Sequence, residues 1–117
     1  MKNARLLRRA RLSNKADYRN VFAQAEASRD AFFTVLARPN QLAFPRLGLA
    51  ISRKAAKSAV ARNRIKRIVR NSFRQRQQDL RGIDIVVIGR IGLETCSNAR
   101  LFDSLDKHWA RLIAMDF

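Results

Sequence analysis

The segment from Ser58 to Arg76, SAVARNRIKRIVRNSFRQR, constrains this chain most, because it carries seven Lys or Arg residues and no acidic residue. At helical spacing its core-facing residues form one stripe: Ala61, Ile65, Ile68, Val69, Ser72 and Phe73. The opposite side carries a row that we call the basic ridge: Arg62, Asn63, Arg64, Lys66, Arg67, Arg70 and Arg74. The segment therefore predicts a helix that buries one face and presents positive charge on the other.

The like charges of this helix have no counter-charge within the segment. Solvated surface helices usually interleave Glu with Lys at i, i+4, and an uncompensated pair of that spacing costs a few tenths of a kcal/mol. A plain solvated face remains the alternative, but the phosphates of a nucleic acid would supply the missing charge. The pattern favours a polyanion as the partner.

Composition agrees with a single folded domain that binds nucleic acid. The 117 residues suit one domain, and 25 Lys and Arg against nine Asp and Glu give a formal charge of +16. A hydrophobic content of 47% argues against disorder. No apolar run reaches the roughly 20 residues that span a bilayer, and the single Cys96 excludes an internal disulfide. We expect a cytoplasmic protein without membrane contact.

The N-terminal third predicts an arm followed by a helix. Residues 1–12 are expected to form a mobile basic arm that orders on RNA; the alternative, an interfacial membrane helix, needs a wider apolar face. A helix is predicted over residues 14–25 with Ser13 as its N-cap. Tyr18 and Phe22 lie at i, i+4 on it, a spacing that by itself favours core packing over ligand contact.

Strands and a closing helix account for the rest of the chain. Residues 25–29, 31–37, 46–52 and 83–88 predict strands, and 38–45, which holds both prolines, predicts a loop. In the third strand Arg46, Gly48 and Ala50 share a small, basic face, which we expect another chain to approach. Gly82 predicts a left-handed stop after the basic helix, and Ser97 caps a last helix. The expected order is αβββαβα, an α+β sandwich of sheet and helices.

The sequence offers no convincing set of catalytic residues. It has one histidine, His108, which lies on the apolar stripe of the last helix and is expected to be a core residue. Cys96 has no histidine at a suggestive spacing, and there is no phosphate-binding loop motif, HExxH or Cys/His cluster. Residue types alone therefore predict a binding protein with no catalytic residue and no metal held by protein alone.

Several motifs in order resemble the bacterial ribonuclease P protein family over about residues 5–113. The string from Arg62 to Arg67, RNRIKR, with its continuation to Arg74, is similar to the family's signature helix. It is preceded by the DYRNVF segment from Asp17 to Phe22, by RLGL from Arg46 and by Ser52-Arg53-Lys54. Many family members have a glycine soon after these paired basic residues, whereas this chain reads KAAKS. That difference leaves the roles of Lys54 and Lys57 open.

The resemblance implies a two-layer α/β sandwich like ribosomal-protein domains, with a left-handed βαβ crossover through the signature helix. It also implies a subunit that helps a catalytic RNA remove the 5′ leader of precursor tRNA, with Mg²⁺ held mainly by the RNA subunit and the substrate. The expected partners are that RNA subunit and precursor tRNA. Without RNA the protein is expected to be a monomer.

Two residue sets carry these implied roles. The leader would contact Tyr18, Phe22, Phe33 and Val35, whose aromatic members stack on bases of any sequence. The RNA subunit and phosphates would contact Arg53, Lys54, Arg62, Asn63, Arg64, Lys66, Arg67, Arg70 and Arg74. A ribosomal or architectural RNA-binding protein remains an alternative function, and a protein-only nuclease is disfavoured by the missing acid/base pair.

Overall fold

The computed structural model describes residues 10–115 and 117. The elements are α1 (Lys15–Ala23), β1 (Glu26–Arg29), β2 (Phe33–Pro39), β3 (Arg46–Ala50), α2 (Ala59–Arg76), β4 (Ile83–Gly89) and α3 (Asn98–Ala114), with a 3₁₀ turn at Leu93–Thr95. The strands form one sheet in the order β1-β2-β4-β3. Only the β3–β4 pair is parallel, and α2 connects those two strands. The predicted α+β class is confirmed, while the hand of this crossover stays a prediction.

One face of the sheet packs against α2 and α3 and forms the main core. Its largest buried side chains come from both layers: Phe33, Ile65, Phe73, Ile85, Leu101, Leu105 and Trp109. The indole Nε1 of Trp109 donates a hydrogen bond of 2.7 Å to Ser72 Oγ, so the one hydroxyl in the predicted stripe of α2 has a partner. This contact joins the two helices inside the core.

Helix α1 lies on the opposite face of the sheet. Its Val21 is fully buried and packs with Leu12 and Val86 in a second, smaller cluster. Successive strand residues point to opposite faces, so Val86 reaches α1 while its neighbours Ile85 and Val87 reach the main core. The sheet with α2 and α3 is the expected two-layer sandwich, and α1 covers part of the second face.

Two boundary predictions are wrong for local reasons. The N-cap of α1 is Asn14, whose side chain accepts from Asp17 N at 2.9 Å, in place of Ser13. Pro39 is the last residue of β2, although we placed both prolines in a loop. The backbone groups of successive β2 residues point alternately towards β4 and towards β1. The nitrogen of Pro39 points towards the β1 side, where β1 has already ended, so the N–H that proline lacks leaves no strand acceptor without a donor.

The predicted mobile arm is wrong for residues 10–12, and residues 1–9 lie outside the described residues. Ala10 and Leu12 are buried, and Leu12 N donates a 2.9 Å hydrogen bond to Leu47 O at the edge of β3. The edge strand has free backbone groups and the two side chains are apolar, so this segment gains both hydrogen bonds and burial by packing there.

Candidate nucleic-acid interface

Helix α2 begins with a hydrogen-bonded cap and buries the stripe that the sequence predicts. Ser58 Oγ accepts from Ala61 N at 3.0 Å. The buried residues of α2 are Ile65, Ile68, Val69, Ser72 and Phe73. Because this face is fixed against the core, the basic ridge on the other side of the helix is held in one orientation. Gly82, which has a φ of 76°, ends the connection from α2 in the left-handed conformation that the sequence predicts.

The basic ridge keeps its positive charge. Asn63 and Arg67 are exposed, and the other members of the ridge are half-buried. Within the described part of the chain, no cation from Arg62 to Arg74 forms an ion pair with a carboxylate. The ridge is therefore a row of uncompensated cations, the arrangement that binds a phosphate backbone.

Neutral groups hold three of the ridge arginines in place. Arg62 donates to the carbonyl oxygens of Ala56 and Lys57, at 3.0 and 2.8 Å. Arg64 donates to Asn98 Oδ1 at 2.6 Å, which ties α2 to the start of α3, and Arg74 donates to Asn71 Oδ1. Carbonyl and amide oxygens orient a guanidinium without cancelling its charge. These side chains are consequently ordered before any ligand arrives.

The turn before α2 explains the missing glycine. Ala55 N and Ala56 N both donate to Ser52 O, and both alanine side chains are fully buried. Neither alanine has a positive φ, so the turn has no position that requires glycine. Arg53 and Lys54 are exposed on this turn, beside the first residues of α2, and so extend the cationic surface of the ridge.

The hydroxyl end of Tyr18 packs against β3 at a position where only glycine fits. A Cβ at Gly48 would come within 2.7 Å of the Tyr18 ring, and the Tyr18 hydroxyl accepts a 3.2 Å hydrogen bond from Leu49 N. Arg46, on the same face, forms a two-pronged ion pair with Asp84 at 2.8 and 2.7 Å. The face formed by residues 46, 48 and 50 was predicted to receive another chain. That prediction is wrong for Arg46 and Gly48, because α1 covers them.

The groove beside Tyr18 joins α1 to the basic ridge. Leu49, Lys66 and Arg70 line it together with Arg11 and the tyrosine. Burial, and then the charge of Arg11, lower the pKa of the Arg70 guanidinium, which nevertheless stays protonated at neutral pH. Like charges held this close favour an anion between them.

Phe22 and Phe33 have opposite surroundings. Phe22 is 52% exposed and presents its ring at the surface of α1. Phe33 and Val35 are 0% exposed and face the core under α2 and α3, so their predicted contact with the leader is wrong. The half-buried residues Thr34 and Leu36 alternate with them and face the α1 side. The sequence predicts that residues 33–37 alternate between the two faces of the sheet, but it does not predict which face α1 would cover.

A buried polar cluster on the other side of the sheet was missed by sequence reasoning. Ser28 Oγ lies 2.7 Å from His108 Nδ1, and His108 Nε2 lies 3.2 Å from Asp30 Oδ1. These are the residue types of a hydrolase triad, but Ser28 is 4% exposed and His108 is fully buried. No substrate can reach the hydroxyl, so the cluster joins α3 to β1 and does not form a nucleophilic site.

Two kinds of feature are absent from residues 10–115 and 117. No group of three or more His, Cys, Asp or Glu residues is placed to hold a metal ion. No helix in the same residues is long and apolar enough to cross a membrane.

Comparison with known proteins gives one consistent result. The family model described as Ribonuclease P matches residues 6–113. The ribonuclease P protein component of Methylococcus capsulatus is 54% identical over 99 residues, covering 85% of this chain and 77% of the relative. That of Nitrosococcus oceani is 45% identical over 113 residues, covering 97% and 95%.

Solved structures show the same similarity in three dimensions. The RNase P protein of Staphylococcus aureus has a TM-score of 0.80 at 26% identity, covering 90% of this chain and 95% of that protein. The RNase P protein of Thermotoga maritima has a TM-score of 0.75 at 31% identity, covering 86% and 96%.

Proposed function

The chain belongs to the ribonuclease P protein family, and we propose that it acts as the protein subunit of a ribonuclease P holoenzyme. In this role it binds the RNA subunit and the 5′ leader of precursor tRNA, while the RNA carries out the cleavage. The observation that carries the proposal is the basic ridge of α2, whose cations have no carboxylate partner in the described residues and whose guanidiniums are already oriented.

The ridge and the turn before it would face the RNA subunit and the phosphates near the cleavage site. The proposed contacts are Arg53, Lys54, Arg62, Asn63, Arg64, Lys66, Arg67, Arg70 and Arg74. Arg64 also holds α2 to the start of α3, so its loss would disturb the fold locally as well as the binding. Arg67 is exposed and gives the cleaner measure of phosphate contact.

The leader would lie on the α1 side of the sheet. Phe22 offers an exposed ring for a base, and stacking of this kind contributes about 1 to 3 kcal/mol per base without sequence preference. Tyr18 offers only part of its ring, because the hydroxyl end lies against Gly48. Thr34 and Leu36 replace Phe33 and Val35 in the proposed leader surface.

Magnesium would be held mainly by the RNA subunit and the substrate. The part the chain itself plays is electrostatic: an ordered row of cations lowers the repulsion between the phosphates of two RNA molecules. Fewer magnesium ions are then needed to bring the substrate to the catalytic RNA.

The proposal is tested by binding measurements on the reconstituted holoenzyme. Phe22→Ala should weaken binding of precursor tRNA about 5- to 50-fold and leave binding of mature tRNA within twofold, since only the precursor has a leader to stack. Phe33→Ala is the matched control. It should lower the free energy of unfolding by about 3 to 5 kcal/mol, because it removes a buried ring, whereas Phe22→Ala should change that energy little.

Two results would contradict the proposal. Equal losses for precursor and mature tRNA would place Phe22 outside the leader surface. Recovery of ribosomal particles with the purified protein, in place of one small RNA that supports cleavage, would favour the ribosomal or architectural alternative.

A further inference from the structure

A pocket lies where the loop between β2 and β3 meets the end of α2, and we call it the end pocket. The residues that line it are Ala43, Phe44, Pro45, Gln77, Gln78 and Arg81. Its volume of about 490 Å³ is within the range of pockets that hold small ligands. None of these residues belongs to the basic ridge or to the leader surface. The end pocket is therefore a concave site that the proposed function does not use.

One wall of the end pocket is held in place by Asn40. Its backbone N–H donates to Gly82 O at 2.9 Å, and its side-chain oxygen accepts from Leu42 N at 2.8 Å. Its side-chain nitrogen donates to Phe44 O at 3.1 Å and to Asp84 Oδ1 at 2.9 Å. These hydrogen bonds tie the loop to itself and to the start of β4. The wall is consequently formed before any ligand binds.

The same loop contains a strained residue, Gln41. Its φ of 63° lies in the left-handed region that residues other than glycine rarely adopt. Strain of this kind persists only where the surrounding structure enforces it, as the hydrogen bonds of the preceding Asn40 do here, and it is frequent at ligand-binding sites. The conformation of the loop thus supports a binding role for the pocket beside it.

The helix wall of the end pocket has polar groups that are available to a ligand. Gln78 and Arg81 are exposed, and neither side chain forms a hydrogen bond or an ion pair among residues 10–115 and 117. Gln77 donates from Nε2 to Arg74 O at 3.3 Å, which leaves its Oε1 as an acceptor. A ligand in the pocket therefore meets amide donors, amide acceptors and a cation.

This combination of groups fits a nucleotide. The carboxylate of Asp79 is paired with Arg76 at 3.6 Å, so the charge of Arg81 remains for a phosphate. Amide groups donate and accept along the edge of a base. Proteins recognise RNA sequence mainly at unpaired bases, whose faces pack on apolar side chains. The apolar wall of the pocket consists of Ala43, Phe44 and Pro45.

The end pocket continues the groove between β3 and α2 that Lys66 and Arg70 border. Helix α2 runs antiparallel to β3, because it connects the parallel strands β3 and β4. Gln77 follows Arg70 by seven residues on the same side of the helix, a distance of about 10 Å. In the same direction, Pro45 precedes Leu47 by two strand residues, or about 7 Å. An RNA chain bound along the groove would therefore reach the end pocket.

We propose that the end pocket binds an unpaired nucleotide of the RNA subunit, with the base against the loop and the phosphate at Arg81. This inference rests on the proposed function, because it adds a base-binding site to the helix that faces the RNA subunit. Its place on α2 favours the RNA subunit over precursor tRNA, and its continuity with the cationic groove favours RNA over a protein partner. Phosphate contacts carry no sequence information, so the ridge would supply affinity and the pocket selectivity.

The test measures binding of the RNA subunit to the protein without substrate, over a range of salt concentrations. Gln78→Ala should weaken binding about 3- to 10-fold and leave the slope of log K against log[salt] unchanged, because the amide is neutral. Arg81→Ala should weaken binding and make the slope shallower by about 0.7 to 0.9, the contribution of one phosphate. Gln75→Ala is the matched control, since this glutamine is also exposed but lies on the opposite side of α2, and it should change the affinity little.

Chemical probing identifies the nucleotide. Dimethyl sulfate and a carbodiimide together modify the Watson–Crick edges of unpaired bases in the RNA subunit. The wild-type protein should protect one such base. With Gln78→Ala the reactivity of that base should return, whereas Gln75→Ala should preserve the protection.

The other outcomes decide against the inference in distinguishable ways, with thermal unfolding as the check that each variant folds. An effect of Arg81→Ala without one of Gln78→Ala would mean that the site binds phosphate alone, and loss of precursor tRNA binding alone would assign the pocket to the substrate. Either result overturns the inference. If neither variant affects RNA binding while Arg67→Ala weakens it, this inference alone fails and the pocket is left to a protein partner. If Arg67→Ala has no effect either, the result counts against the proposed function itself.

Discussion

His108 shows how one buried side chain makes the stability of the fold depend on pH. It is the chain's one histidine, it is fully buried, and its Nδ1 lies 2.7 Å from Ser28 Oγ. Burial lowers the pKa of His108 below its usual 6.5, against the opposing effect of Asp30. At a pH between the folded and unfolded pKa values, the unfolded chain therefore binds a proton at His108 and the folded protein does not.

The sign of the pH effect follows from this lowered pKa. The contribution of His108 to stability is fully present above about pH 6.5 and is lost as the pH falls towards its folded pKa. Asp30, whose pKa falls from 3.8 to about 2, adds a further loss only below about pH 4. We expect the melting temperature to fall by a few degrees between pH 7 and pH 5, and to fall less in His108→Gln. A wild-type protein that melts at a higher temperature at pH 5 would mean that the imidazolium is stabilised by Asp30.

Among the elements, α2 serves both the core and the proposed RNA contact. Its buried side is held by Trp109 and the sheet, so the ridge cannot turn away from a ligand. Arg64 is bound to Asn98 at the start of α3, whereas Arg67 is exposed. The structure thus identifies Arg67 as the position that tests charge with the least effect on the fold.

A magnesium titration of the cleavage rate measures the electrostatic role of α2. We expect Arg67→Ala to raise about twofold the magnesium concentration at which the holoenzyme reaches half its maximal cleavage rate. Dissolved magnesium ions must then supply the positive charge that the ordered Arg67 side chain provided. Arg67→Lys should restore only part of the difference, since a lysine cannot grip two phosphate oxygens at once. Lys107→Ala, on the exposed side of α3, should leave the midpoint unchanged. The role assigned to the ridge would be disproved by the same midpoint with and without the protein.

The whole molecule is polarised in charge. The residues between Asp30 and Asp79 include twelve Lys and Arg and no acid, and within them Arg46 is neutralised by Asp84. Hydrogen bonding to Asp84, which outweighs burial, raises the pKa of the Arg46 guanidinium, so this pair stays ionised inside the fold. Arg76 pairs with Asp79 at 3.6 Å; the other cations of this segment have no carboxylate partner among the described residues and can release counterions from an RNA.

Binding to the RNA subunit should therefore weaken steeply with salt. Each phosphate contact contributes about 0.7 to 0.9 to the slope of log K against log[salt], so roughly five to eight contacts give a slope of about −4 to −7. Filter binding or fluorescence titration between low and physiological salt measures it. A slope shallower than about −2 would show that the basic ridge is not the main contact surface.

Local patterns in the sequence were sufficient to predict the elements, the buried stripe of α2 and the uncompensated ridge. These depend on local spacing and on net charge, which any fold of the chain must respect. The cap at Ser97, whose Oγ accepts from Arg100 N, and the left-handed Gly82 were predictable for the same reason.

Which face of each strand is covered, and by which helix, depends on the packing of the whole chain. Strand alternation separates Phe33 from Thr34, but only the packing of α1 on one side and of α2 and α3 on the other decides which set meets solvent. The same holds for Gly48, whose missing side chain admits the Tyr18 ring, and for the convergence of Ser28, Asp30 and His108. Ser28 lies 80 residues before His108 in the sequence, and a contact at that separation depends on the assembled core, which no local pattern encodes.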